Sequence, residues 1–278
     1  MKQEIRFRPN EWAIILGASS GFGGATALEL ARHGMNIIGI HLDRQTTMPL
    51  VQNLQKEIKR TNVHSVFYNI NAADEIRRNE TLDDIKEQFE ADTSATIKVL
   101  MHSLAFGSLK PFIAKNSEES LTQAQMEMTL DVMANSLVYW VQGLVSRQLM
   151  KKGGRIFGMT SSGGHRAFPY YGAVSAAKAA LQSHIRQLAM ELGPLGITAN
   201  AILAGVTDTP ALRKIPGSAG MIEAAKIKNP TGRLTTPDDI AKVITLLSLD
   251  EAGWVSGSVI GVDGAEDIVE FVSQNKSL

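Results

Sequence analysis

Cysteine is missing altogether from the 278 residues. Disulfides and thiolate metal sites are therefore excluded, which fits a reducing compartment. Aromatic side chains are scarce, at 6%, so the interior must be packed from aliphatic and small residues. Net charge is lacking too, with 28 Lys and Arg against 28 Asp and Glu. Without a basic excess nothing points to nucleic acid or to an anionic membrane surface. No apolar run reaches the roughly 18 residues that span a bilayer. The opening stretch MKQEIRFRPNEW carries no apolar signal core. The expectation is a soluble cytoplasmic protein. His33, His64, His102, His165 and His184 show no pairing at ligand spacing, and no metal is expected.

What is present is an alternation of two patterns. WAIIL (12–16), NIIGIHL (36–42), HSVFYNI (64–70), IKVLMHS (97–103), GRIFGMT (154–160), ITANAIL (197–203) and SVIGV (258–262) are short aliphatic runs with little polar alternation. That suits parallel strands covered on both faces. Between them lie stretches at helical period, over 25–34, 83–89, 136–150 and 177–193. The alternation predicts an α/β fold: βαβ units in a doubly wound parallel sheet of about seven strands between two helical layers. No linker or repeat interrupts it, so a single domain over 1–278 is expected. The stretch 205–236 differs, with three prolines and four glycines in mixed polarity. It is long enough for a mobile lid with a short helix near 218–228.

The segment ILGASSGFGGATALELA puts a strand directly before Gly17, Gly21 and Gly23 and a helix directly after. Glycine lets the backbone turn tightly and approach a pyrophosphate. The helix start then offers free N–H groups and a positive dipole end. In this context the turn predicts dinucleotide binding.

The spacing G-x-x-x-G-x-G resembles the first turn of the short-chain dehydrogenase/reductase family, and the resemblance covers nearly the whole chain. MHSLAFG (101–107) stands where that family has its strand-four Asn-Asn-Ala-Gly turn. NAILAGVTDTPAL (200–212) matches the segment that contacts the nicotinamide end, and SGSVIGVDGA (256–265) matches the last strand and turn. The resemblance implies a Rossmann-type domain. It also implies a nicotinamide cofactor held by Gly17, Ser19, Ser20, Gly21, Phe22 and Gly23 at the first turn. His41, Arg44, Asn69 and Ile70 would serve it beyond strands two and three. Ser103, Leu104 and Ala105 follow strand four, and Lys178 with Gly205, Val206, Thr207 and Thr209 completes the set. Where an NAD enzyme commonly carries an acid, 18 residues beyond Gly23, this chain has His41. Arg44 nearby can pair with a 2′-phosphate, whereas Asp43 and Ser20 pull the other way. NADPH is expected, with NADH possible.

Ketone reducers of this family use Tyr-x-x-x-Lys on one helix, the lysine binding the ribose and lowering the tyrosine pKa. Four residues before Lys178, however, stands Val174. Tyr171 lies seven residues back, about 20° off the lysine's face and one turn further along the axis. Tyr-x6-Lys is the spacing of the enoyl-acyl-carrier-protein reductases. RAFPYYGAVSAAKAALQSHIRQLAMELGPLGITANAI resembles them, and DTPALRKIPG with NPTGRLTTPDDI resembles the enoyl reductase III branch. Where the main branch has a second tyrosine, this chain reads TSSGG. Met133 stands where ketone reducers carry an asparagine, with Asn135 two places off.

The resemblance implies NADPH-dependent reduction of trans-2-enoyl thioesters on acyl carrier protein or coenzyme A. Tyr171 would donate to the thioester oxygen, Lys178 would anchor the ribose, and Ser161 would add a second donor. Phe106, Phe168, Tyr170, Leu212, Met221 and Ile222 are the candidate acyl pocket. Arg213, Lys214, Lys226 and Lys228 on the lid could steer an acidic carrier protein. The helices over 136–150 and 177–193 carry excess apolar residues, and in this family they form a homotetramer interface. Two rivals stand beside this reading: a short-chain carbonyl or 3-oxoacyl-thioester reductase, and a non-catalytic NAD(P)-binding regulator.

Overall fold

The computed structural model describes residues 5–270. The seven aliphatic runs become seven strands: β1 (Glu11–Leu16), β2 (Asn36–His41), β3 (Ser65–Asn69), β4 (Thr96–His102), β5 (Arg155–Thr160), β6 (Thr198–Ala204) and β7 (Val259–Val262). They form one parallel sheet in the order β3-β2-β1-β4-β5-β6-β7. Successive side chains point to opposite faces of a strand, so each central strand feeds two cores. On one face Ile14, Leu16, Ile38 and Leu100 pack with Trp140, Leu181 and Ile185. On the other Ile15, Ile37, Val99, Met101 and Phe157 pack with Leu30, Ile240 and Ile244.

The helices are α1 (Gly21–Arg32), α2 (Met48–Lys59), α3 (Glu75–Glu90), α4 (Gln123–Leu130), α5 (Ser136–Ser146), α6 (Gly172–Leu192), α7 (Ser218–Lys228) and α8 (Pro237–Leu247). Their starts are chemically marked. Asp74 caps α3 through the Arg77 N–H. Reciprocal capping boxes open α4 (Thr122 with Gln125) and α8 (Thr236 with Asp239, Pro237 following). The short helix expected near 218–228 is α7. Helix α4 carries no apolar stripe, whereas α2 turns Val51, Leu54 and Ile58 inward; neither is among the stretches picked out by periodicity above. A single π-helical turn, Asp131–Asn135, joins α4 to α5, so the helical rod before β5 starts well ahead of residue 136. The apolar side chains of α5 and α6 turn inward more than expected: among the described residues, the one large apolar side chain left exposed on those two helices is Met190. No helix among the described residues is long and apolar enough to cross a membrane.

The chain runs β1-β2-β3 toward one edge and then resumes with β4 on the other side of β1. Loops leaving β1 and β4 thus diverge, opening a crevice at the carboxyl ends of the strands, where doubly wound sheets bind ligands. The loops after β1, β4, β5 and β6 meet there.

Candidate active site

The first turn is built for close approach. A Cβ on Gly23 would collide with the Gly17 carbonyl oxygen, and Gly17 itself has φ +88°. Ser20 sits at the N-cap of α1 with no side-chain cap bond, so the helix start keeps unshared N–H groups. Such a cradle, bare of side chains and facing a helix start, fits a pyrophosphate. Gly17, Ser19, Ser20, Gly21 and Gly23 all belong to it. At the ends of β2 and β3, His41 is buried and its Nδ1 lies 3.1 Å from Asp43 Oδ2. Burial lowers the imidazole pKa and Asp43 opposes that. Asn69 holds the Asp43 backbone from both sides, at 3.0 Å each. Arg44 is exposed. Ile70 follows β3, its N–H bonded to the His41 carbonyl.

Beyond the cradle a cavity of about 410 Å³ opens among the loops after β4, β5 and β6 and helix α7. Phe22, Ser103, Leu104, Ala105, Gly205, Val206, Thr207 and Thr209 line it, as do Tyr171, Lys178 and Ser161. Of the expected acyl-pocket residues, Phe106, Phe168, Leu212 and Met221 reach the cavity wall, whereas Tyr170 and Ile222 do not. Tyr170 adopts φ +63° and is 47% exposed. That turn of the backbone sends it outward and its neighbour Tyr171 inward.

Tyr171 is not inside helix α6 but at its N-cap, with φ −100° and ψ 4°. Its carbonyl accepts from the Ser175 N–H at 2.7 Å, so the first helical turn closes on it. Its ring meets Phe168 edge-on, with centroids 6.0 Å apart. Burial raises the phenol pKa, and Ser161 offsets part of the rise. Lys178 points its Nζ at the Met159 carbonyl, 2.7 Å away, and forms no bond to the tyrosine. Burial pushes the lysine down to about 8. Ser161 Oγ is buried and has no hydrogen-bond partner. The Tyr171 and Ser161 hydroxyls are near enough to influence each other, and both residues line the cavity.

A sequence model of the family described as Enoyl-(Acyl carrier protein) reductase matches residues 17–265. The chain belongs to this family, within the short-chain dehydrogenases/reductases. It is 31% identical over 205 residues to an enoyl-[acyl-carrier-protein] reductase [NADH] of a Nostoc species, covering 74% of this chain and 76% of that one. It is 28% identical over 265 residues to the (2S)-[(R)-hydroxy(phenyl)methyl]succinyl-CoA dehydrogenase subunit of Thauera aromatica, covering 93% and 97%. The fold is shared with an enoyl-(acyl-carrier-protein) reductase from Anaplasma phagocytophilum solved in complex with NAD. That match has a TM-score of 0.82 at 19% identity and covers 100% of this chain and 99% of that one. The chain is therefore a pyridine-nucleotide oxidoreductase.

Within this oxidoreductase three features of the site escaped the sequence reading. Gly163 stands directly under the Tyr171 ring; the sequence shows a glycine pair there but not what it faces. Glu266, four residues beyond β7, places its carboxylate so that it accepts from the Val206 N–H at 3.2 Å. Asp267 pairs with His165 (2.9 Å) and Arg166 (3.0 Å) of the loop after β5. The segment after β7 thereby fastens the two loops that flank the cavity. The cations of 205–236 divide: Arg213 pairs with Asp208 at 2.7 Å and Lys226 with Glu223 at 2.8 Å, while Lys214 and Lys228 line the cavity.

Proposed function

We propose that the protein reduces trans-2-enoyl thioesters with NADPH, NADH serving less well. The carrying observation is that Tyr171 lines the cavity beside Lys178 and the unpaired Ser161 hydroxyl, while the ketone-reductase position, Val174, presents only aliphatic surface there. The bound nicotinamide supplies the hydride, which the β-carbon of the substrate receives. Charge then develops on the thioester oxygen, two carbons away. Tyr171 O–H donates to that oxygen, and Ser161 O–H is placed as a second donor. Burial strengthens both interactions. The raised phenol pKa keeps the tyrosine protonated and therefore a donor at neutral pH. Lys178 holds the ribose end and places positive charge near the developing enolate. Met133, Met159, Leu104 and Phe168 line the cavity with apolar surface and exclude water from the reacting carbons.

The preference for NADPH rests on His41 and Arg44. Asp43 is engaged with His41, and Arg44 has no ion-pair partner among the described residues. It is therefore available to a 2′-phosphate. Carrier-bound and coenzyme A thioesters both fit the reading; Lys214 and Lys228 are the cations we assign to the carrier's phosphate-bearing arm. A homotetramer, cytoplasmic in location, is proposed from the family resemblance.

A second reading is favoured by the match to the Thauera dehydrogenase over nearly all of both chains: redox chemistry at a carbonyl or hydroxyl of an acyl thioester. One assay separates the two. Purified protein with NADPH is given crotonyl or octenoyl thioester, or acetoacetyl thioester, and oxidation is followed at the reduced-nicotinamide band. Oxidation with the enoyl substrates, lost in Tyr171→Phe, supports the enoyl reading. Oxidation with acetoacetyl thioester alone overturns it, and silence with cofactor bound favours a non-catalytic regulator.

A further inference from the structure

His102 ends β4 and is wholly buried. By strand alternation it points to the same face as Leu100, the face covered by α5 and α6. Its Nε2 lies 2.9 Å from Ser136 Oγ, and Ser136 Oγ lies 2.8 Å from the Val132 carbonyl oxygen in the π-helical turn. A carbonyl can only accept, so the one Ser136 proton goes to Val132. Ser136 must then accept from His102, which puts the imidazole proton on Nε2 and leaves Nδ1 a bare lone pair. That Nδ1 is buried without a hydrogen-bond partner. Buried acceptors are nearly always satisfied, commonly by an ordered water.

Lys178 has the opposite problem. It is buried, it gives one proton to the Met159 carbonyl, and no carboxylate offsets its desolvation. His102 stands opposite Gly158 in the β4–β5 register, one residue before Met159, so the ammonium held at the Met159 carbonyl lies at the same end of the sheet as the imidazole, and its charge is felt there. Burial and that charge push the imidazole down to about 3. It stays neutral and never repels the ammonium. On the elements packed around it, Tyr139 of α5 lies under Arg78 of α3, and Arg186 and Glu191 stand exposed on the outer side of α6. Tyr171 opens α6. His184, further along α6, is taken up by Asn135 Oδ1 at 3.1 Å, and Asp131 lies in the π-helical turn. Glu11, Lys98 and Arg155 sit where β1, β4 and β5 begin, at the far end of the sheet.

We propose that His102 is a positioning residue for Lys178: through one buried water, its free Nδ1 lone pair accepts from the lysine ammonium and keeps it charged at the cofactor end of the cavity. The inference rests on the proposed role of Lys178 in thioester reduction. An aliphatic residue would fill the same space without supplying an acceptor. A serine alone at position 136 would leave the lysine with Met159 only.

The test compares wild type, His102→Leu and His102→Gln across neutral to alkaline pH. Turnover of whichever thioester the enzyme reduces is measured together with cofactor affinity by nucleotide fluorescence. In His102→Leu the alkaline limb of kcat moves down by roughly one pH unit, a tenfold loss at mildly alkaline pH, with KM unchanged. Glutamine keeps a donor for Ser136 and an acceptor, and it restores most of the limb. An unmoved limb in His102→Leu, or equal shifts in Leu and Gln, overturns the proposal. Should the leucine variant not fold, imidazole nitrogen NMR of the wild type decides. The Nδ1 signal stays that of an unprotonated nitrogen and moves as Lys178 titrates, and the movement vanishes in Lys178→Met. A proton on Nδ1, or a signal indifferent to Lys178, overturns the inference. Absence of thioester turnover would instead overturn the reductase reading, while the NMR still reports on the His102–Lys178 pair.

Discussion

The Tyr171 ring lies on Gly163 so closely that a Cβ on that glycine would stand 2.5 Å from the ring's Cε1. The Ser175 hydroxyl, one turn into α6, donates to the Gly163 carbonyl and ties the loop after β5 to the helix that carries the tyrosine. The phenol position is therefore set by a backbone rather than by a flexible side chain.

Gly163→Ala forces the ring to move. The expected result is a fall in kcat of roughly tenfold to a hundredfold with cofactor affinity retained, because a displacement near 1 Å costs about that much in a preorganised site. Steady-state kinetics beside nucleotide titration checks it. An alanine variant with wild-type kcat would show that the ring is free to adapt.

The ketone-reductase position borders the cavity but is tightly packed on its other side. Val174 is 4% exposed, and its Cγ2 lies 3.0 Å from where a Cβ on Gly107 would be. Moving the tyrosine there, in Tyr171→Phe/Val174→Tyr, overpacks the region and lowers stability by about 1–3 kcal/mol. Neither enoyl nor ketoacyl thioesters are reduced. Urea melts and the two-substrate assay test this; a stable double variant that reduces acetoacetyl thioester would remove the steric argument.

Lys178 gives activity and stability opposite trends in alkali. Its pKa falls to about 8 in the folded protein through burial, against about 10.4 for a free lysine. Reduction requires the ammonium, so kcat declines as pH rises through about 8. The unfolded chain binds more protons at this site between those two values. Its contribution to stability therefore rises with pH across that window. Lys178→Met abolishes both trends. Cofactor-free melting curves and a pH–rate profile measure them separately, and a flat rate profile through that window contradicts the role given to the lysine.

Arg44 is exposed beside the buried His41–Asp43 pair. Arg44→Ala weakens NADPH binding by roughly tenfold, the loss of about one charge-assisted contact to a phosphate. NADH binding is unchanged. Equal losses for both nucleotides in a fluorescence titration would make Arg44 a general surface charge and remove the basis for the NADPH preference.

Much of this protein is written locally in its chain. Seven aliphatic runs without polar alternation become seven parallel strands, the five central ones buried because a strand covered on both faces has no polar side to display, the edge strands β3 and β7 only partly so. The glycine turn between strand and helix is equally legible, since only glycine permits the approach of Gly23 to the Gly17 carbonyl. The seven-residue step from Tyr171 to Lys178, too, is visible without any structure. What the tertiary structure decided are quantities that depend on distant parts of the chain. Tyr171 stands at a helix cap and has its pKa raised because burial desolvates it. Glu266 and Asp267 reach the site from beyond the last strand, at no spacing a motif could encode. The bare Nδ1 of His102 follows from one serine proton being taken by a carbonyl in a π-helical turn. Strand and turn patterns reflect backbone sterics and which faces are covered, and those are local. Desolvation and hydrogen-bond satisfaction are sums over everything nearby in space, and only the folded chain defines what is nearby.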